Sequence, residues 1–126
     1  MRTTPLPTGQ QIDALLALAA PLSAVSANDI PWESGSGLLW PRYPTALEDF
    51  FHAASHDPWA AYDYDPARDG DILRDPVLLA RADLATLRRL LTWMVRGERF
   101  CDGHWGAMVS EGHLQRWLDR LQQLAR

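Results

Sequence analysis

Apolar residues recur three and four positions apart in several parts of the chain, which is the spacing of an amphipathic α-helix. Two such stretches follow a capping-box sequence, Thr8–Gln11 and Thr45–Glu48, which is typical of a helix N-terminus. Pro21 limits the first helix, and the second is predicted to end near Ser55. The apolar positions of these two helices are Ile12, Leu15, Leu16 and Ala19, then Leu47, Phe50, Phe51 and Ala54.

The C-terminal half carries the strongest helical pattern. It predicts a helix that begins at Asp83, a short helix over 102–111, and a last helix after Gly112, a residue type that favours helix ends. The apolar positions of the long and the last helix are Leu84, Leu87, Leu91, Met94 and Val95, then Leu114, Trp117, Leu118, Leu121 and Leu124.

Two aspartate–proline pairs, Asp57-Pro58 and Asp75-Pro76, have the pattern of a helix N-cap followed by proline at the first helical position. We therefore expect each pair to begin a short helix. The acidic run over 57–75 also contains several turn-forming steps, so we interpret it as a solvated loop.

Residues 23–44 show no clear period and are rich in proline, glycine and tryptophan. The segment Gly37-Leu38-Leu39-Trp40 is compatible with one short strand, and Trp32 and Trp40 suggest that this loop packs against the core. The expected fold is mainly α: a small bundle of about five to six helices with a long irregular N-terminal loop. A chain of this length predicts a single domain, residues 1–126.

All twelve basic residues are arginine, which excludes mechanisms that depend on a lysine nucleophile or a P-loop lysine. The net charge of −4 is unevenly distributed. Residues 1–82 carry five arginines against eleven acidic residues, whereas residues 83–126 carry seven against five. The acidic part argues against bulk binding of nucleic acid, and the basic part leaves room for a local anion site.

The chain contains one cysteine, no apolar run of about 20 residues, and no apolar signal-peptide core at its N-terminus. These features predict a cytoplasmic protein without a membrane span. We expect no cofactor and no metal. Asp49, His52 and His56 lie on one predicted helix, but a metal site would need a fourth ligand that the pattern does not supply.

Residues 96–104, Arg-Gly-Glu-Arg-Phe-Cys-Asp-Gly-His, concentrate charged side chains between two predicted helices. On a helical projection from Asp83, Glu98 falls inside the apolar stripe, where a carboxylate needs a partner. If that helix continues past Gly97, the projection also places four arginines on one arc: Arg88, Arg89, Arg96 and Arg99.

Two interpretations of this segment stay open. In the first it is a structural clamp, in which Glu98 binds an arginine and the backbone of the next turn. In the second it is an anion or ligand site at the N-terminus of the short helix, where backbone amides point outward. The candidate ligand-binding residues are Arg96, Glu98, Arg99, Asp102 and His104.

The segment Glu98-Arg99-Phe100-Cys101-Asp102-Gly103, the later Gly112, and the terminal Leu118-Asp119-Arg120-Leu121 resemble the C-terminal signature of an uncharacterised bacterial family. The resemblance covers about residues 43–126. It implies a small, mostly helical bacterial protein, and it supplies no substrate and no catalytic residue.

We expect a small binding module rather than an enzyme, with another protein as its partner, in the manner of an inhibitor or an immunity protein. Trp93, on the face opposite the leucines and beside arginines, is typical of a protein contact, although a second core contact would also place it there. One alternative is a protein or enzyme that binds a small molecule or anion at the Arg/Glu/His cluster. The other is a DNA-binding regulator that uses the last two helices, with Arg116, Arg120 and Gln123 on the outer face of the final one. Self-association is a further possibility.

Overall fold

The computed structural model describes residues 5–25, 30–35 and 38–125. Seven α-helices occur in these residues, together with a short 3₁₀ helix, Ala20–Ala24, and two strands. The strands are β1 (Trp32–Gly35) and β2 (Leu38–Pro41). The helices are α1 (Gly9–Ala19), α2 (Thr45–Ala54), α3 (Pro66–Arg74), α4 (Pro76–Ala80), α5 (Leu84–Gly97), α6 (His104–Ser110) and α7 (His113–Leu124).

The mainly helical fold is therefore confirmed, with more helices than the five to six expected. The core lies between α5 and α7, and α1, α2 and α4 pack around them. Trp117 of α7 is completely buried and donates its indole N–H to the carbonyl of Leu87 at 2.8 Å, which ties the two central helices together. Truncating a buried tryptophan to alanine costs about 3–5 kcal/mol. No helix in the described part of the chain is long and apolar enough to cross a membrane.

The helix starts depend on local capping. The capping box at Thr8 is confirmed, because its hydroxyl accepts from the Gln11 amide at 3.2 Å and its own amide donates to the Gln11 side chain at 2.8 Å. The capping box predicted at Thr45 is wrong. Thr45 is already the first helical residue, and the N-cap is Pro44, which has no side-chain acceptor.

The two aspartate–proline pairs behave differently. Asp75 caps α4 as predicted, with its carboxylate accepting from two amides of the first turn. Asp57-Pro58 does not begin a helix, because the amides of Trp59 and Ala60 bond back to the carbonyl of His56 and close a turn. A pair that we did not single out, Asp65-Pro66, begins α3 instead.

The predicted short strand is confirmed by β2, although residues 36 and 37 lie outside the described residues. It has a partner that the sequence pattern did not indicate, since β1 pairs with it in antiparallel register from Trp32↔Pro41 to Gly35↔Leu38. Trp32 packs against Gly103, but it stays 51% exposed and is not among the side chains that pack against the core. The side chain of Trp40 lies outside the described part.

Candidate functional site

The segment that links α5 to α6, residues 98–103, is organised by one carboxylate; we call it the Glu98 turn. The side chain of Glu98 points inward, as the projection predicted. It accepts hydrogen bonds from the Tyr43 hydroxyl at 2.7 Å, the Gly103 amide at 2.9 Å and the Trp105 amide at 2.9 Å. Glu98 therefore binds the backbone of the next turn, as the clamp hypothesis predicts. Its side-chain partner among the described residues is Tyr43 and not the predicted arginine.

The backbone amides at the α6 N-terminus, which the second hypothesis assigned to an external anion, are already hydrogen-bonded within the protein. Every backbone amide from Gly103 to Ala107 already has an acceptor inside the protein. Gly103, in the left-handed region at φ 89°, is an N-cap without a side chain, and Glu98 supplies the missing acceptor. The carboxylate also complements the positive end of the helix dipole.

Tyr43 completes this arrangement. Its hydroxyl donates to Glu98 and accepts from the amide of Gly106 at 3.4 Å. Burial and the hydrogen bond to the Glu98 carboxylate raise the pKa of Tyr43 well above its usual range, so the phenol stays protonated and remains a donor. The segment that leads into α2 is thereby joined to α6.

The five predicted site residues do not converge on one point. Arg96 lies over the ring of Tyr64, with 5.1 Å from its guanidinium carbon to the ring centre. Asp102 is exposed. His104 packs against Trp93, with 4.9 Å between the centres of the two rings. Glu98 and Arg99 line one groove, and Arg99 and Arg96 line a small cavity beside it.

His104 is held in a tight position between α5 and α6. Its ring lies against the backbone of Gly97, where an added methyl group would overlap it. Its Nε2 atom is buried and has no hydrogen-bond partner among the described residues. Burial lowers the pKa of His104, which favours the neutral ring. The His104 ring thus packs between the backbone of Gly97 and the ring of Trp93.

The predicted arginine arc does not form, because α5 ends at Gly97 before Arg99. Arg88 donates to the carbonyls of Pro5 and Pro58. Arg89, whose side chain is 18% exposed, binds the Asp69 carboxylate at 3.3 Å. These two side chains bind other parts of the fold and do not form a free cationic surface.

Asp69 is a buried charge that the sequence analysis missed. Its side chain is completely buried and binds Arg68 at 3.1 Å and Arg89 at 3.3 Å, and it accepts from the Asp65 amide at 2.8 Å. Burial alone would raise the pKa of Asp69, but these hydrogen bonds hold it below the usual value. The interpretation of 57–75 as a solvated loop is therefore wrong, since α3 lies there and packs on α5.

A groove of about 620 Å³ lies between α2 and the α5–α6 junction. Its apolar side is built from Phe51 and Trp105, whose rings stack at 4.7 Å with 14° between their planes, and from Val95. The indole N–H of Trp105 donates to the Val95 carbonyl at 3.1 Å, which fixes the ring. The polar residues that line the groove are Glu48, Asp49, His52, Ser55, Glu98 and Arg99.

An exposed aromatic side chain follows directly after the groove residue Arg99. Phe100 is 84% exposed, more than any other large apolar residue in the described part of the chain. Arg99 and Cys101 on either side of it are also exposed. The Glu98 turn thus presents an aromatic and a cationic side chain from a backbone that Glu98 holds in place.

Other candidate residues have structural partners. Trp93 packs against Gly70 of α3, and the guanidinium group of Arg74 lies over its ring. Of the two alternatives for Trp93, the structure therefore shows the second contact within the fold. Arg120 donates to the carbonyl of Ala82 at 2.9 Å, and Arg116 bonds to His113 at 2.8 Å, so each guanidinium has a partner within the fold. Among the residues with described positions, no group of three or more His, Cys, Asp or Glu side chains could hold a metal ion.

Fold and site together define a small helical protein with a groove between helices and an exposed aromatic turn beside it. The chain belongs to a family of unknown function, DUF6508, whose family model matches residues 7–126. The resemblance to an uncharacterised family is thus confirmed, and it extends over nearly the whole chain rather than over 43–126 alone. Searches of curated proteins and of solved structures found no match.

Proposed function

We propose that this protein is a binding module that engages another protein through the groove and the adjoining Glu98 turn. The observation that carries this proposal is the 84% exposure of Phe100 on a turn whose backbone is hydrogen-bonded to Glu98. Aromatic and arginine side chains are enriched in the centres of protein interfaces, and a rigid display lowers the entropy lost on binding. An inhibitor or immunity-type role in the bacterial cytoplasm fits the chain's size and charge.

The test compares Phe100 with another exposed apolar residue, Val77 of α4, which is 58% exposed. A photo-crosslinking amino acid is placed at position 100 or at position 77 in host cells. We expect a specific crosslinked partner from position 100 only. Phe100→Ala should then weaken binding of that partner at least about tenfold, whereas Val77→Ala should leave it unchanged.

Two results would contradict the proposal. One is the same set of crosslinked products from both positions, and the other is unchanged binding by the Phe100→Ala protein. A crosslink to a second copy of the chain would identify self-association as the interaction.

A second candidate function is the binding of a small molecule in the groove. Its volume lies within the range of about 300–1,000 Å³ that is common for ligand sites, and it combines an aromatic wall with polar groups. A thermal-shift screen with nucleotides, phosphates, carboxylates, amino acids and divalent metals tests it. A ligand should raise the melting temperature by several degrees, and Arg99→Ala should reduce the shift. A screen without any shift argues against this function.

A further inference from the structure

The charges that line the groove are separated along the axis of α2. Glu48 and Asp49 lie in the first half of α2. Glu98 bonds to Tyr43, which comes just before that helix, so its carboxylate belongs to the same end. Three carboxylates therefore mark the end of the groove nearest the N-terminus of α2.

The opposite end of the groove is cationic. Arg99 also lines a small adjoining cavity of about 70 Å³ together with Ser55, the last residue of the α2 side of the groove, and with Arg96. Glu48 and Ser55 are seven residues apart, and at 1.5 Å per helical residue this separation is about 10 Å. Measured along the axis of α2, the acidic residues and the Ser55 end of the groove, which Arg99 also lines, are thus about 10 Å apart. Phe51, whose ring stacks on Trp105, lies between Glu48 and Ser55 in the sequence.

The outer charges are available to a ligand. The side chains of Glu48, Asp49 and Arg99 make no hydrogen bond or ion pair with the residues that the structure describes. The neighbouring carboxylates at the acidic end repel each other, so a cation placed there would relieve that repulsion. An anion at the opposite end would find Arg99, which can bind a carboxylate in bidentate geometry.

We propose that the groove binds an α-helical segment of the partner protein. This segment carries opposite charges at two positions seven residues apart, i and i+7, and apolar residues at i+3 or i+4. The basic residue contacts the Glu48 end, the acidic residue contacts Arg99, and the apolar residues cover Trp105. This inference rests on the proposed protein-binding function.

The spacing favours a helix over an extended segment. Residues i and i+7 of a helix lie on one face about 10.5 Å apart, with i+3 and i+4 between them. An extended strand places residues of one face about 6.6 or 13 Å apart, so it matches the two charged ends less well. Helix-in-groove binding of this kind is a common mode of peptide recognition.

A displayed library of helix-stabilised peptides, randomised at i, i+3, i+4 and i+7, tests the inference on the full chain. We expect enrichment of opposite charges at i and i+7, in either order because a helix can lie in two directions, with apolar residues between. The double variant Glu48→Gln/Asp49→Asn should bind the enriched peptides at least about tenfold more weakly and lose the basic preference. The matched control Asp71→Asn, with a side chain 83% exposed on α3, should bind them unchanged.

Enrichment without a charge preference, equal binding by the double variant, or no enrichment at all would overturn the inference. Peptides that lose binding with Phe100→Ala but not with the groove variant would place the contact at the turn alone. In that case, or if the groove tests fail while the crosslink from position 100 is still obtained, the groove inference fails and the proposed protein-binding function stands.

Discussion

Asp69 and Glu98 are both inward-pointing carboxylates close to arginines in sequence, yet they bind different partners. Asp69 binds the guanidinium groups of Arg68 and Arg89 and one backbone amide. Glu98 accepts from two backbone amides and a phenol, and its neighbour Arg99 stays exposed. A nearby arginine is therefore a poor guide to what a buried carboxylate binds.

The difference follows from the groups that surround each carboxylate. Glu98 lies five residues before Gly103, which is the N-cap of α6 and has no side chain to cap the helix. The backbone amides at the start of α6 are therefore the donors nearest to Glu98. The N-terminus of α3 is already capped by Asp65. Asp69 instead faces α5, from which Arg89 reaches it. The unmet hydrogen-bonding need of the surroundings decides the partner in each case.

The largest effect is expected at the buried ion pair. Asp69→Ala leaves Arg89 mostly buried without its counterion, and we expect a loss of about 3–5 kcal/mol in the free energy of unfolding. Chemical denaturation followed by circular dichroism measures it. The control Asp71→Asn, on the exposed side of α3, should leave the free energy of unfolding nearly unchanged. An equal loss in both variants would show that the buried ion pair of Asp69 contributes no more than a surface charge.

A smaller loss is expected at Glu98, whose partners can in part be rehydrated. Glu98→Ala removes three hydrogen bonds and the acceptor at the start of α6, and we expect a loss of about 2–3 kcal/mol in the free energy of unfolding. Tyr43→Phe removes one of these bonds and should cost about 1 kcal/mol. The same denaturation assay applies. A Glu98→Ala protein as stable as the wild type would show that water replaces this network.

The pH dependence of stability should show the effect of protonating His104. The charged and titratable groups around this side chain are Glu98, Glu111, Arg74 and His113. Burial lowers the pKa of His104 from its ordinary value of 6.5, and it likewise lowers that of His113. As the pH falls below 6.5 the unfolded chain binds protons before the folded protein does, so stability falls until the pH passes the lower folded pKa. Denaturation midpoints between pH 7.5 and 5 should decline, and less steeply in His104→Gln. An equally steep decline in that variant would contradict the assignment.

The smallest effect on stability is expected at Arg99. Because its side chain is exposed and Glu98 does not bind it, Arg99→Ala should change the free energy of unfolding by no more than about 0.5 kcal/mol. Thermal or chemical denaturation measures this. A loss as large as that of Glu98→Ala would restore the original clamp hypothesis, in which the two residues form a pair.

The predictable part of this protein is local. The spacing of apolar residues was sufficient for α1, α2, α5 and α7, because one face of each helix is buried against the same core. Caps such as Thr8 and Asp75 were also predictable, since they need only residues within one turn. The wrong cap at Thr45 and the missed α3 are local too, and there the sequence signals were weaker or ambiguous.

The sequence by itself determined the helical fold, the inward direction of Glu98 and the absence of lysine chemistry. Only the tertiary structure decided the partners of the two carboxylates and the existence of the groove. The physical reason is chain separation: Glu98 meets Tyr43 across 55 residues, and Asp69 meets Arg89 across 20. Periodicity defines which face of a helix is buried, but the donors that arrive at that face depend on how distant helices pack.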